Sequence, residues 1–172
     1  MDAQTARKWS EWAQRHLLGA LCFERSATIG LYAAFDNEVD TRLVFERGVS
    51  DGKTMALPRI TGKGEMVFLK AADWEDMKKN KWGIPEPGAD AEKVPINQLD
   101  LVVVPAVALD KNGCRIGFGG GYFDRLLKEL KPGTVTVGLA YSFQVFESLP
   151  CEKHDQRVGR IVTERGFLKM CP

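Results

Sequence analysis

The chain has 172 residues, with 24 Lys plus Arg against 23 Asp plus Glu, which fits one domain, residues 1–172, large enough to bury a core without staples. The near-zero net charge excludes a surface drawn as a whole to nucleic acid or anionic lipid, so any anion site must be local. Cys22, Cys114, Cys151 and Cys171 show no paired spacing and His16 and His154 complete no ligand set, so reduced thiols are expected; no run reaches membrane-span length and the amphipathic start lacks the apolar stretch of a signal peptide, which points to the cytoplasm.

In chain order, Trp9, Trp12, Ala13, His16, Leu17 and Ala20 recur at helical spacing and predict a first helix, with both tryptophans on its buried face. Residues 27–34, ATIGLYAA, form an apolar run suited to a buried strand. Val39, Leu43 and Val44 predict a helix over about 38–47, with Glu38 and Asp40 in its first turn where carboxylates suit the dipole. Residues 54–57 and 66–69 are short strands around a Gly62-Lys63-Gly64 turn. Residues 78–98, rich in Lys, Pro, Gly and Asn, are expected to be a long ordered loop, in which Trp82 either stacks on a ligand ring or anchors the loop, the anchor being preferred. Residues 101–104 are the strongest strand; Phe123, Leu126, Leu127 and Leu130 line one face of a helix; residues 134–140 and 160–163 are further buried strands. Strands alternating with helices predict an α/β three-layer sandwich, its central sheet mainly parallel or mixed and flanked by helices, with ligands at the carboxyl ends of the strands.

The most informative stretch is Asp100 to Leu127, DLVVVPAVALDKNGCRIGFGGGYFDRLL. A buried strand leads through a polar turn into glycines at 117, 119, 120 and 121 and then into an amphipathic helix. Glycines let the backbone approach a ligand closely, so that amide N–H groups converge on oxyanions at a helix start. Arg115 and Asp124 flank this cradle. Each has an ordinary alternative, a solvated hairpin arginine and a helix-start carboxylate. A carboxylate beside a phosphate site requires an intervening cation, and Mg²⁺ suits it because it binds one or two carboxylates together with phosphate oxygens and water. There is no Walker lysine, so this is no P-loop. Tyr122 either packs its ring or forms part of the ligand wall.

The same stretch resembles the signature of the 5-formyltetrahydrofolate cyclo-ligase (5,10-methenyltetrahydrofolate synthetase) family, a VPGVAFD-turn-RLGYGGGYYDR type segment. The similarity extends over residues 27 to 166. It includes IGLYAAFDNEVDT at 29–41, Gly83-Ile84-Pro85-Glu86-Pro87, GLAYSFQ at 138–144, and Leu149-Pro150 through Glu164. The resemblance implies ATP-dependent conversion of 5-formyltetrahydrofolate to 5,10-methenyltetrahydrofolate, with ATP and the folate as small-molecule substrates and Mg²⁺ as cofactor. It implies catalytic roles for Arg115 and Asp124, and ATP contacts from Arg7, Lys8, Arg115, Ile116, Gly117, Phe118, Gly119, Gly120, Gly121, Tyr122 and Phe123. Folate contacts fall on Glu38, Phe118, Gly119, Gly120, Gly121 and Tyr122, and the metal on Asp124 and Asp155.

Two departures from the family pattern stand out. Only about two dozen residues precede the first strand, where relatives carry a longer basic segment that helps hold ATP; Arg7, Lys8 and Arg15 are what remains, as substitutes or as the solvated face of the helix. Gly159 stands where the family has a carboxylate. A folate- or nucleotide-binding protein without turnover is the alternative reading, and an enzyme of another chemistry on a similar sheet is a second.

Overall fold

The computed structural model describes residues 1–152 and 155–168. His154 and Cys171 therefore lie outside the described residues. The helices are α1 (Ala3–Leu18), α2 (Leu21–Arg25), α3 (Arg42–Ser50) and α4 (Tyr122–Glu129). The strands are β1 (Thr28–Gly30), β2 (Thr54–Gly62), β3 (Glu65–Ala71), β4 (Lys78–Lys79), β5 (Pro85–Glu86), β6 (Lys93–Val94), β7 (Leu101–Val104), β8 (Ala108–Asp110), β9 (Arg115–Ile116), β10 (Val135–Leu139), β11 (Val145–Phe146), β12 (Arg160–Thr163) and β13 (Gly166–Phe167).

Eight strands form the central sheet in the order β13-β12-β10-β7-β1-β2-β3-β6. The five inner strands run parallel, and β13, β3 and β6 are antiparallel to their neighbours. This is the mixed, helix-flanked α/β sheet that the sequence predicts. Alternation along β7 splits the core in two. Leu101 and Val103 join Ala13 and Leu17 of α1, Phe23 of α2 and Val44 and Phe45 of α3 on one face. Val102 and Val104 join Leu109 of β8 and Leu126 of α4 on the other. Buried on both faces, β7 reads as an unbroken apolar run, and β12 is buried after its exposed Arg160, which is why both fall on the predicted residues.

Four elements differ from the sequence expectation for identifiable reasons. The buried face of α1 is Ser10, Ala13, Gln14 and Leu17, and Trp12 lies outside it, 43% exposed, under the Lys8 ammonium. Two polar residues replace tryptophan there because they bond to the backbone entering α3. Gln14 Oε1 accepts the N–H groups of Leu43 and Val44, and Ser10 Oγ accepts that of Asp40, so α1 satisfies donors that α3 would otherwise leave orphaned. Helix α3 begins at Arg42, later than expected, because Asp40 Oδ1 accepts from Thr41 and Arg42 N–H and ends the preceding loop. Strand β2 passes through Pro58, whose missing donor falls on the side where β1 has already ended, so no ladder bond is lost. The segment 78–98 contains the β4–β5 hairpin and edge strand β6.

The thiol expectation is overturned for one pair. Cys114 and Cys151 form a disulfide with Cα atoms 6.0 Å apart, and Cys22 is free and buried. Their sequence separation of 37 carries no local signal; the fold brings the segment after β11 back against the β8–β9 turn.

Candidate functional site

The chain leaves β1 through α3 toward β2 and leaves β7 through α4 toward β10, on opposite sides. Strand order therefore reverses between β1 and β7, and a crevice opens at their carboxyl ends. A cleft of about 830 Å³ lies there, walled by Tyr32 and Ala33 after β1, Pro105 to Val107 after β7, and the whole glycine loop.

The loop is positioned by the residues around it. Strand β9 pairs antiparallel with β8 and delivers the chain to Gly117. Gly119 (φ 83°) and Gly121 (φ 63°) are left-handed, the latter as the residue that opens α4. Only glycine takes these angles without strain, so the turn brings the first N–H groups of α4 next to the cleft. Phe118 is 67% exposed and meets Phe35 edge to face, with ring centroids 6.0 Å apart. These two rings give the cleft an apolar wall.

At the polar end, Arg115 Nη2 donates to Asp124 Oδ1 at 2.6 Å, and Gln156 N–H donates to the same oxygen at 3.2 Å. The Arg115 side chain is 5% exposed, and its Nε has no hydrogen-bond partner among the described residues. A buried unpaired donor on a cation is costly unless an acceptor arrives, and an anionic ligand oxygen is the natural one. Asp155 also lines the cleft; its Oδ2 accepts from Glu152 N–H at 2.8 Å. No cluster of three metal-ligating side chains occurs among the described residues. Two carboxylates beside the glycine loop nevertheless fit Mg²⁺, which needs no more than one or two carboxylates from a protein.

Glu38 stands on the same cleft, ahead of α3, with its Oε2 accepting the Phe35 N–H at 2.9 Å. Burial pushes its pKa up from 4.5 to about 7; the Phe35 N–H opposes this and the nearby Asp36 charge adds to it. A carboxyl poised near neutrality in a cleft is a candidate recognition group.

The structure thus brings Glu38, Arg115, residues 116–123, Asp124 and Asp155 to one cleft. It does not bring Arg7 and Lys8 there. Both are exposed on α1, although Tyr141 Oη donates to Ala6 O and ties that end of the helix to the carboxyl end of β10. Gly159 is likewise off the cleft, its N–H donated to Thr136 Oγ1 at 2.7 Å, so a carboxylate there would not face the residues around Asp124. Trp82 is no anchor: it is 48% exposed and lines the cleft, while Asn80 holds the loop by accepting the Trp82 and Ile84 N–H groups and donating to Glu86. Tyr122 is part of the wall.

Arg125 and Lys128 also line the cleft and were not singled out from the sequence. Lys128 has a readable signal: it lies one turn after Asp124 on α4, and four residues along a helix share a face. It has no ion-pair partner among the described residues.

A reversed-order α/β sheet with an anion-suited glycine loop, a cation and carboxylates at its carboxyl edge defines a ligand-binding α/β fold of the kind that handles phosphorylated compounds. The model of the 5-formyltetrahydrofolate cyclo-ligase family matches residues 1–164, and the chain belongs to that family. It is 36% identical over 145 residues to the 5-formyltetrahydrofolate cyclo-ligase of Haemophilus influenzae, covering 82% of this chain and 78% of that one. The Escherichia coli K12 protein of the same name is 34% identical, covering 79% and 77%. Among solved structures, the NMR structure of Aquifex aeolicus 5,10-methenyltetrahydrofolate synthetase superimposes with a TM-score of 0.87 at 34% identity, covering 100% of this chain and 86% of that one.

Proposed function

We propose that this chain is a single-domain cytoplasmic ligase that converts 5-formyltetrahydrofolate and ATP to 5,10-methenyltetrahydrofolate, ADP and phosphate. The observation that carries the reading is the meeting, in one cleft, of the glycine loop, the Arg115–Asp124 pair with its unpartnered Nε, and the half-buried Glu38.

The chemistry asks for what these groups supply. A formamide carbonyl is a poor electrophile and its oxygen cannot leave as oxide. The formyl oxygen attacks the γ-phosphorus of ATP, the bond to the β-phosphate oxygen breaks, and ADP departs. N10 of the same folate then attacks the activated formyl carbon, the carbon–oxygen bond breaks, phosphate leaves with its electron pair, and N10 loses its proton. No protein nucleophile is required. Phosphoryl transfer depends on positioning and on neutralising charge, and the amides of 117–123 and Arg115 do both. Ring closure is intramolecular, and well-aligned cases reach effective molarities of roughly 10⁵–10⁸ M, so the protein's main task there is to hold the folate. Glu38, Tyr122 and the Phe35–Phe118 wall do so. Asp124 and Asp155 would hold Mg²⁺, which when bound draws charge from phosphate oxygens.

Incubation with 5-formyltetrahydrofolate and MgATP is expected to produce the methenyl chromophore stoichiometrically with ADP. Retention of folate without ADP formation would replace this reading with that of a binding protein.

A further inference from the structure

The glycine loop has a support in Arg125, a cleft-lining residue to which no substrate contact has been assigned. Arg125 forks between two neutral acceptors: its Nε donates to Gly64 O at 2.9 Å and its Nη2 to Gly120 O at 2.7 Å. Its guanidinium carbon lies 5.2 Å from the centre of the Tyr122 ring. Gly64 belongs to the turn between β2 and β3, the hairpin that contributes Ile60 and Met66 to the cleft. Gly120 precedes the left-handed glycine that opens α4. One side chain therefore clamps the glycine loop to a neighbouring wall through two backbone oxygens.

The clamp has a directional consequence. In a trans peptide the carbonyl of one residue and the N–H of the next point in opposite directions. Fixing Gly120 O toward the guanidinium thus aims the Gly121 N–H away from it. A loop of four glycines within five residues has little stiffness of its own, and among the described residues the Gly120 carbonyl takes its hydrogen bond from Arg125. We propose that Arg125 is a positioning residue for the nucleotide: it sets the glycine loop before the triphosphate arrives, and it does so as a fork and not as a charge. This rests on the assignment of the loop to ATP. Lysine, a point charge with no planar fork, would keep the cation and lose the clamp. A preset loop lowers the ordering cost of binding, so its loss appears in KM for ATP; once nucleotide saturates the loop, its own contacts hold the backbone and kcat recovers.

The test compares Arg125→Lys and Arg125→Ala with the wild type. Calorimetric titration with a non-hydrolysable ATP analogue and Mg²⁺ is run beside steady-state kinetics, and circular dichroism confirms that the variants are folded. Both substitutions are expected to weaken analogue binding and raise KM for ATP by roughly tenfold, with kcat at saturating ATP within about threefold of wild type. If lysine restores wild-type binding, a charge suffices and the clamp is refuted. If both variants bind the analogue as the wild type does, Arg125 has no such role while the ATP assignment stands. Failure of the wild type itself to bind would overturn that assignment and the clamp with it.

Discussion

Arg115 and Asp124 meet through a single 2.6 Å bond from Nη2 to Oδ1, which leaves the Arg115 Nε buried and, among the described residues, unpaired beside the glycine loop. The carboxylate fixes the guanidinium, and one of its donors stays unused among the described residues. Asp124→Asn keeps the volume and removes the charge. Turnover is expected to fall by at least about a hundredfold, the scale on which preorganised electrostatic groups act, while binding of an ATP analogue survives because Arg115 and the loop amides remain. Methenyl absorbance and calorimetry measure the two effects separately; wild-type turnover in the variant would remove Asp124 from the chemistry.

Glu38 gives a pH dependence whose sign is set by its raised pKa. Unfolded, the carboxyl titrates near 4.5; folded, at about 7, chiefly because it is buried. Below 4.5 both states are protonated and stability is unaffected. As pH rises from 4.5 through 7 the unfolded chain ionises first, so the folded state loses stability across that window, and the loss is complete above 7. Glu38→Gln is expected to lack this slope, so the difference between variant and wild-type unfolding free energies should shift in favour of the variant as pH rises from 4.5 through 7 and level off on either side. Folate affinity should move the opposite way in the wild type, rising as the carboxylate forms through pH 7, and stay flat in the variant. A wild-type affinity independent of pH would show that the ionised form is not what holds the ligand.

Much of this site was legible in the sequence because its parts are local. The strand-turn-glycine-helix order of residues 100–127 fixes backbone shape by itself, and Leu101–Val104 and residues 161–163 announce burial on both faces. What was hidden depends on partners far along the chain. Trp12 fits the apolar face of α1 by spacing, yet Gln14 took the buried place because α3 needed an acceptor. Strands β4, β5 and β6 are two-residue pieces, too short to show a pattern, whose pairing is set by neighbours. Arg125 acts on Gly64, 61 residues away, and no spacing rule could show that.

The Cys114–Cys151 bridge makes the segment before Asp155 sensitive to thiols. Closing a loop with a sequence separation of 37 is worth about 3–5 kcal/mol in the chain-entropy model. The segment is held in two further ways, by Leu149 N–H on the buried Asp110 carboxylate and by Val158 N–H on Gly113 O. Reduction, or the Cys114→Ser/Cys151→Ser double variant, is therefore expected to lower the urea midpoint without unfolding the protein. An unchanged midpoint under reductant would mean that the thiols are not bridged in solution. Asp110→Ala is expected to cost more than a surface change, several kcal/mol at about 1–3 per orphaned donor, because its carboxylate also accepts the Asn112 and Cys114 N–H groups.

The glycines of the loop should not respond alike to alanine, and the pattern of response tests whether their backbone shape matters. At Gly121 the residue is left-handed with φ 63°, and a Cβ would stand 3.0 Å from Arg125 Nη1, so alanine meets strain and a cation that is already committed. At Gly119 the φ of 83° penalises alanine although no atom lies within 4 Å of the added carbon. A left-handed alanine costs about 1–2 kcal/mol, which the chain avoids by rotating the peptide and turning the amides away. Gly117 has no positive φ, and its nearest neighbour to a Cβ is Arg115 Nη1 at 3.6 Å, an ordinary contact. The expected order of harm to KM for ATP is thus Gly121→Ala worst, Gly119→Ala next and Gly117→Ala least, with melting temperatures spread far less than the kinetics. Equal effects at all three positions would show that the loop needs only small side chains, not these particular backbone angles.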